Sequence, residues 1–351
     1  MIWSKLKFLR ATLCAAAMAV CAVSAQAVSI DLVPVGNAGN GNDIHGDGYG
    51  AVGYNYWIGT YEVTIGQYAE FLNAVAKTDT YGVYNPFMAD PNIAGISRTG
   101  ASGSYSYSVI GSANKPVASV SWGDAVRFAN WLYNGQPTGA QNSRTTEDGS
   151  YTLNGAVSDA AINAVTRNPG ATWVLPSENE WYKAAYHKND GVTSNFWDYP
   201  TGTDSEPNSD NPPVDPAIAA NVANFYRDDG IANGYNDGYA MTSSTSYSGA
   251  INYLSDVGSY NQSGSPYGTF DQGGNLFEWN EALISGSFRG LRGGAWINNS
   301  LYQLASNRNS YSPSSLIMTF GFRVAMIPEP TSNTLALCAA VGLWRLRRRR
   351  T

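Results

Sequence analysis

The chain has 351 residues, a formal net charge of −6, and only 3 cysteines and 2 histidines. Cys14 and Cys21 lie in an apolar N-terminal stretch and Cys338 in an apolar C-terminal one, so the body between them carries no thiol. That excludes a disulfide scaffold, a thiolate-bound zinc or iron–sulfur site and a catalytic cysteine there, and two histidines exclude a three-histidine metal centre.

Lys5, Lys7 and Arg10 open the chain, an apolar run over residues 11–23 follows, and Ala25-Gln26-Ala27 is a small-x-small cleavage site. This order predicts a signal peptide over residues 1–27, the apolar run being short for a membrane span of about 20 residues. Three of the 21 basic residues sit in this segment and five at the far C-terminus, and one of the 27 acidic residues, Glu329, also lies in the tail, leaving 13 basic against 26 acidic ones, a balance of −13. So acidic a body repels phosphate backbones, which disfavours nucleic-acid binding, and it tolerates cations. Charged residues make up only 14 % of the chain, while glycine (37) and tyrosine (23) are plentiful, which predicts a loop-rich body with aromatic anchors.

No linker composition interrupts residues 28–326, so one domain is expected there. Residues 36–50, rich in Gly, Asn and Asp and holding Asp43, His45 and Asp47, match no specific calcium or phosphate template and read as a flexible opening loop. Three helices are expected, each behind a capping signal. Thr64 with Gln67 opens residues 65–76, which place Ile65, Tyr68, Phe71, Leu72 and Val75 on one face. Ser121 with Asp124 opens a second, carrying Val126, Ala129, Trp131 and Leu132. Ser177 with Glu180 opens a third, with Trp181, Ala184 and Ala185. Long polar stretches between them, such as residues 136–150 and 201–213, predict structure built largely from loops.

Glu178 and Glu180 invite reading as an acid/base pair. Two residues apart on a helix they face different ways, and the Ser177–Glu180 capping box explains the latter. A serine hydrolase would need His45 or His187. The latter follows Ala184-Ala185-Tyr186 near a helix end, where a cation favours the dipole. No glycine pattern matches a nucleotide-binding loop.

A set of short motifs recurs along the body. They are Ile58-Gly59-Thr60-Tyr61-Glu62-Val63-Thr64, Pro116-Val117 with Val120-Ser121-Trp122, and Leu175-Pro176-Ser177-Glu178-Asn179-Glu180-Trp181. Further on come Ala223-Asn224-Phe225, Asn236-Asp237-Gly238-Tyr239, and the run from Tyr267 through Asp271-Gln272-Gly273-Gly274-Asn275-Leu276-Phe277-Glu278-Trp279. Leu291-Arg292-Gly293-Gly294-Ala295-Trp296 and Phe320-Gly321-Phe322-Arg323-Val324 complete the set. In this order and spacing, over residues 58–325, the chain resembles the formylglycine-generating enzyme (sulfatase-modifying factor) family.

The resemblance implies an α+β domain, a variant of the C-type-lectin-like fold with little regular structure and two structural calcium ions. Calcium takes six to eight oxygen ligands in flexible geometry, which loops supply. Carried over, the first ion would use the Asn224 side chain, the Phe225 carbonyl, Asp237 and the Tyr239 carbonyl. The second would use Asp271, where the family often has Asn, the Gly274 and Leu276 carbonyls, and Glu278. The family's oxidases hold copper(I) through two cysteine thiolates, soft ligands for a soft ion. Their positions are here Asn298 and Gln303, and a pocket serine is Ala295, so neither copper nor formylglycine-generating activity is expected. The family's sulfoxide synthases need a three-histidine iron site that this chain cannot build.

The cleft that holds the thiols in the oxidases would be lined here by Trp296, Asn298, Asn299, Tyr302, Gln303 and Arg308. Rings and amides suit a sugar or an extended peptide, or they simply close the pocket. Beyond the domain, residues 327–351 hold Pro328-Glu329-Pro330, an apolar plug and five arginines from Arg345 to Arg350. This order resembles the PEP-CTERM sorting tail of exosortase-processed bacterial proteins, which is cleaved near the Pro-Glu-Pro. The sequence therefore predicts an exported, calcium-stabilised protein of the cell surface, outer envelope or extracellular matrix. It would be a non-catalytic binding module for peptide or polysaccharide, touching membrane only through its tail and partnered by the exosortase machinery. The alternatives are an enzyme with a different, thiol-independent site on the same scaffold and a purely structural envelope protein.

Overall fold

The computed structural model describes residues 27–45 and 48–328. Residues 1–26 of the expected signal segment, the tail from Glu329 onward, and Asp47 lie outside the described residues.

All three expected helices form behind their capping residues. Helix α1 (Ile65–Val75) starts where the Thr64 hydroxyl accepts the Gln67 N–H and the Gln67 side chain accepts the Thr64 N–H. Ser121 and Asp124 open α2 (Trp122–Tyr133) in the same reciprocal way. A short α3 (Asp159–Asn163) follows, and Ser177 with Glu180 opens α4 (Glu178–Tyr186). Each box satisfies two amide donors that a helix start otherwise leaves bare. Helix α2 is buried on nearly every side and so lies in the middle of the molecule. Its Phe128 meets Phe71 of α1 edge-on at 5.4 Å and stacks on Tyr68 at 5.9 Å. Such pairs add about 0.5–1.5 kcal/mol each beyond the area they bury, which suits a chain short of regular structure.

Two small sheets flank these helices. The first runs, in spatial order, Leu32–Val35, Tyr56–Gly59, Ala325–Met326 and Trp173–Val174, all antiparallel. It joins the two ends of the domain side by side. The second runs Asn309–Tyr311, Phe288–Arg292, Phe277–Ile284 and Phe320–Gly321, the last pairing being parallel. The remaining strands form short two-stranded pairs, among them Tyr226–Asp228 with Asp237–Tyr239. Helices and mostly antiparallel strands in separate stretches, joined by long loops, give the α+β architecture the sequence predicts.

Two glycine motifs dock on each other. Gly274 (φ +83°) donates its N–H to the Gly293 carbonyl at 2.9 Å. A Cβ on Gly274 would come within 2.3 Å of the Asn224 carbonyl, and one on Gly293 (φ +97°) within 2.5 Å of the Gln272 carbonyl. Only glycine fits where backbones meet this closely at positive φ.

The opening loop corrects an expectation. Asn40 bridges the Gly50 carbonyl and the Val52 N–H, and the Asp43 carboxylate accepts the Tyr182 hydroxyl at 2.6 Å. Residues 40 and 43 are buried against α4, so this end of the loop is docked; loop composition alone carries no record of such distant partners.

Candidate functional site

The polar interior is organised by arginine–glutamate pairs. Glu278 is fully buried and takes a bidentate pair from Arg323 at 2.6 and 2.7 Å plus the Trp181 indole N–H at 2.8 Å. Arg323 spends its other donors on the Gly59, Thr60 and Phe270 carbonyls, lashing the first sheet to the second. Glu178 is shared by Arg292 and Arg308, and Arg127 grips Glu147 at 2.7 and 3.1 Å. Glu180, buried and bound by Arg167, is held below the usual carboxylate range: the arginine outweighs the cost of burial. Both glutamates of the tempting acid/base pair are therefore structural.

The residues expected to bind calcium fall in two groups. Asn224 and Phe225 precede the Tyr226–Asp228 strand, and Asp237 and Tyr239 bound its partner. The Asn224 amide nitrogen donates to the Tyr253 carbonyl and to Asn275, so its oxygen is the atom that a cation would meet. The Phe225 carbonyl already accepts the Ser209 hydroxyl, and the Tyr239 carbonyl accepts the Thr242 and Ser243 amides. In the second group Asp271 sits at φ +60° and accepts the Gly258 N–H at 2.6 Å. Burial pushes its carboxyl up to about 6, with that hydrogen bond pulling the other way. Among the described residues no three His, Cys, Asp or Glu side chains gather to hold a metal by themselves. The donor chemistry fits a hard cation in part: every donor is oxygen, the Phe225 carbonyl keeps a second lone pair and Glu278 part of its acceptor capacity, whereas the Tyr239 carbonyl is already taken by two amides.

Beside this second group lies a residue that sequence reasoning passed over. Glu62 is 2 % exposed; its Oε2 has only a 3.4 Å contact with Asn275, and its Oε1 has no hydrogen-bond partner. Burial, then the charges of Asp271 and Glu278, push its carboxyl well above the usual range against the pull of Arg323. The signal was available: an acid between Tyr61 and Val63, just ahead of a helix cap, in a segment otherwise built to be buried.

The six residues expected to line a cleft do not share one environment. Trp296 is fully buried, lying parallel to Tyr253 at 4.5 Å, with its indole N–H unpartnered. Gln303 is fully buried too, and neither atom of its amide has a partner. Asn298 uses its side-chain oxygen to accept the Ala295 N–H at 3.1 Å, and Asn299 caps the short turn Ser300–Gln303. Tyr302 packs edge-on against Phe277, and Arg308 holds Glu178. Trp296 and Gln303 thus face the interior, whereas Asn299 and Arg308 reach the surface.

His187 corrects another expectation. It caps α4 but is fully buried, and burial and then Lys183 lower its pKa below 6.5. Its Nδ1 accepts the Asn189 N–H at 3.1 Å and lies 2.8 Å from the Tyr267 hydroxyl, so the neutral ring serves as an acceptor. The dipole argument assumed a solvated imidazolium, and desolvation overrides it.

A family model for the sulfatase-modifying factor enzyme 1-like domain matches residues 32–327. The chain belongs to that family. Among solved structures, Treponema denticola variable protein 1 is 21 % identical with a TM-score of 0.51, over 86 % of this chain and 96 % of that one. A structure titled CarF is 19 % identical with a TM-score of 0.50, over 86 % of this chain and 99 % of that one. Both likenesses concern the fold. A comparison with curated proteins finds no match.

Gly293 docks on Gln272 and Gly274 as described, and the segment after it carries Asn298 and Gln303. Among the described residues no helix is long and apolar enough to cross a membrane.

Proposed function

We propose that this protein is an exported surface or matrix protein whose sulfatase-modifying-factor domain binds peptide or glycan without the family's oxidase chemistry. The observation that carries the reading is the pair of amides at the thiol positions. Asn298 is spent on bracing the turn at Ala295, and Gln303 is sealed in the interior. Neither amide offers copper(I) a soft ligand, and the body has no cysteine to replace them. The scaffold around them stays firmly braced, which suits a domain kept for its surface.

Export is part of the reading. Gln136 clamps Val28 from both sides, its Oε1 accepting the Val28 N–H at 2.6 Å and its Nε2 donating to the Val28 carbonyl at 2.8 Å. Cleavage after Ala27 would leave that clamp whole. The tail resembling a PEP-CTERM signal would hand the protein to an exosortase, with membrane contact ending at cleavage. Calcium, abundant outside cells, would bind the Asn224–Tyr239 and Asp271–Glu278 groups and offset part of the body's acidity.

The reading is tested by probing the purified secreted protein against peptide and glycan arrays. Saturable binding to one class supports a module, and flat arrays point to a structural filler. Melting in chelator against calcium is expected to lower Tm by several degrees; an identical melt removes calcium from the account. Mass spectrometry of the secreted chain is expected to find its C-terminus near Pro330, and an intact tail argues for permanent anchoring.

A further inference from the structure

The carboxylates in and behind the second cation group form an unbalanced set. Glu62, Asp271 and Glu278 share one interior region with a single guanidinium, that of Arg323. Arg323 is spent on Glu278, at 2.6 and 2.7 Å, and on the Gly59, Thr60 and Phe270 carbonyls. Glu62, 2 % exposed, keeps only the 3.4 Å contact of its Oε2 with Asn275, and its Oε1 is closed off from solvent without a partner. The charges that act on it most strongly are those of Asp271 and Glu278, so the side chain is aimed into the second group and away from the surface.

Burying a carboxylate without a counter-charge costs far more than burying a neutral polar group. Three carboxylates against one guanidinium leave two negative charges. One divalent cation cancels them, whereas a sodium or potassium ion leaves one over. Direct ligation by all three acids is not what the geometry offers: Oε1 is sealed, and among the described residues no three acidic side chains gather to hold a metal. A charge needs no contact to act, because the low-dielectric interior carries its field over several ångströms. The charge count of an oxygen site in turn tunes its affinity. We propose that Glu62 is the counter-charge of the second cation group: it stands outside the ligands, neutralises the ion from behind, and so sets its valence and its affinity. The proposal rests on the calcium reading given above and adds to it a residue outside the ligand set.

Titration calorimetry of the purified secreted protein, stripped with chelator and titrated with calcium chloride, tests it. Glu62→Gln removes the charge and keeps the shape, and is expected to weaken calcium binding at one group by about tenfold or more. In chelator the same variant is expected to melt no lower than the native chain, since a neutral amide adds no repulsion; a merely structural glutamate would lower that melt. Glu62→Asp keeps the charge and is expected to stay within a few-fold of native affinity. Glu62→Leu, neutral and of similar volume, serves the same comparison where the amide folds poorly. A large excess of sodium is expected to leave calcium in place. Native affinity in both neutral variants, equal losses in Glu62→Asp and Glu62→Gln, a lowered melt in chelator, or displacement by sodium would overturn the proposal and leave the calcium reading standing. A native chain that takes up no calcium would overturn both.

Discussion

Two buried polar regions of this domain are built to opposite standards. Around Glu278 and Glu178, arginines from distant parts of the chain satisfy each carboxylate in bidentate or shared fashion. Around Trp296 and Gln303, the indole N–H and both amide atoms are buried without partners. The first region ties sheets together; the second includes Gln303, which the proposed reading matches to a thiol position of the family's oxidases. The difference teaches that one small core can hold a fully satisfied polar network beside an unsatisfied one. It also implies that substitutions in the two regions move stability in opposite directions.

The largest expected effect breaks the braced region. Arg323→Met leaves Glu278 buried and strands three carbonyls, and should cost about 3–5 kcal/mol by denaturant unfolding. A loss under 1 kcal/mol would mean the pair is not the tie between the sheets. Next comes Asp124, buried at the α2 start, whose carboxyl burial pushes up to about 6, opposed by Ser121 and Arg127. Its folded pKa exceeds its unfolded value, so the native state binds the extra proton between about pH 4 and 6. This group's contribution therefore falls as pH rises through that window, by on the order of 3 kcal/mol. Asp124→Asn should flatten that slope in a series of melts at graded pH, and an unaltered slope would remove Asp124 as its source.

The other region should respond with the opposite sign. Gln303→Leu keeps most of the volume and deletes two unsatisfied atoms, so a gain of about 1 kcal/mol is expected in the same unfolding experiment. A loss of that size would show that the amide has a partner, such as a buried water. Smallest is Ser177→Ala, which removes the α4 cap and should cost about 1 kcal/mol or less, since Glu180 keeps its tie to Arg167.

Much of the fold was legible because its signals are local. Thr64, Ser121 and Ser177 announce helix starts within three residues of themselves, and all three starts form as read. The family motifs fix which segments meet, as when Gly274 docks on Gly293. What could not be read is non-local: Arg323 pairs with an acid 45 residues away and Arg308 with one 130 residues away. The misreadings share that cause. His187 looked like a solvated helix end until Tyr267, 80 residues on, met its ring. The opening loop looked flexible because Tyr182, its anchor, lies on a helix far along the sequence. Within the candidate site, sequence singled out Gln303 but not that it is sealed off, since burial depends on what packs over a residue.

The central claim is that the family's scaffold persists here without its oxidase chemistry. The purified protein, incubated with a sulfatase-motif peptide, copper, oxygen and reductant, tests it by mass spectrometry of the peptide. The account predicts that the peptide's cysteine remains unconverted. Formation of formylglycine above a no-protein control, retained after repurification, would contradict it.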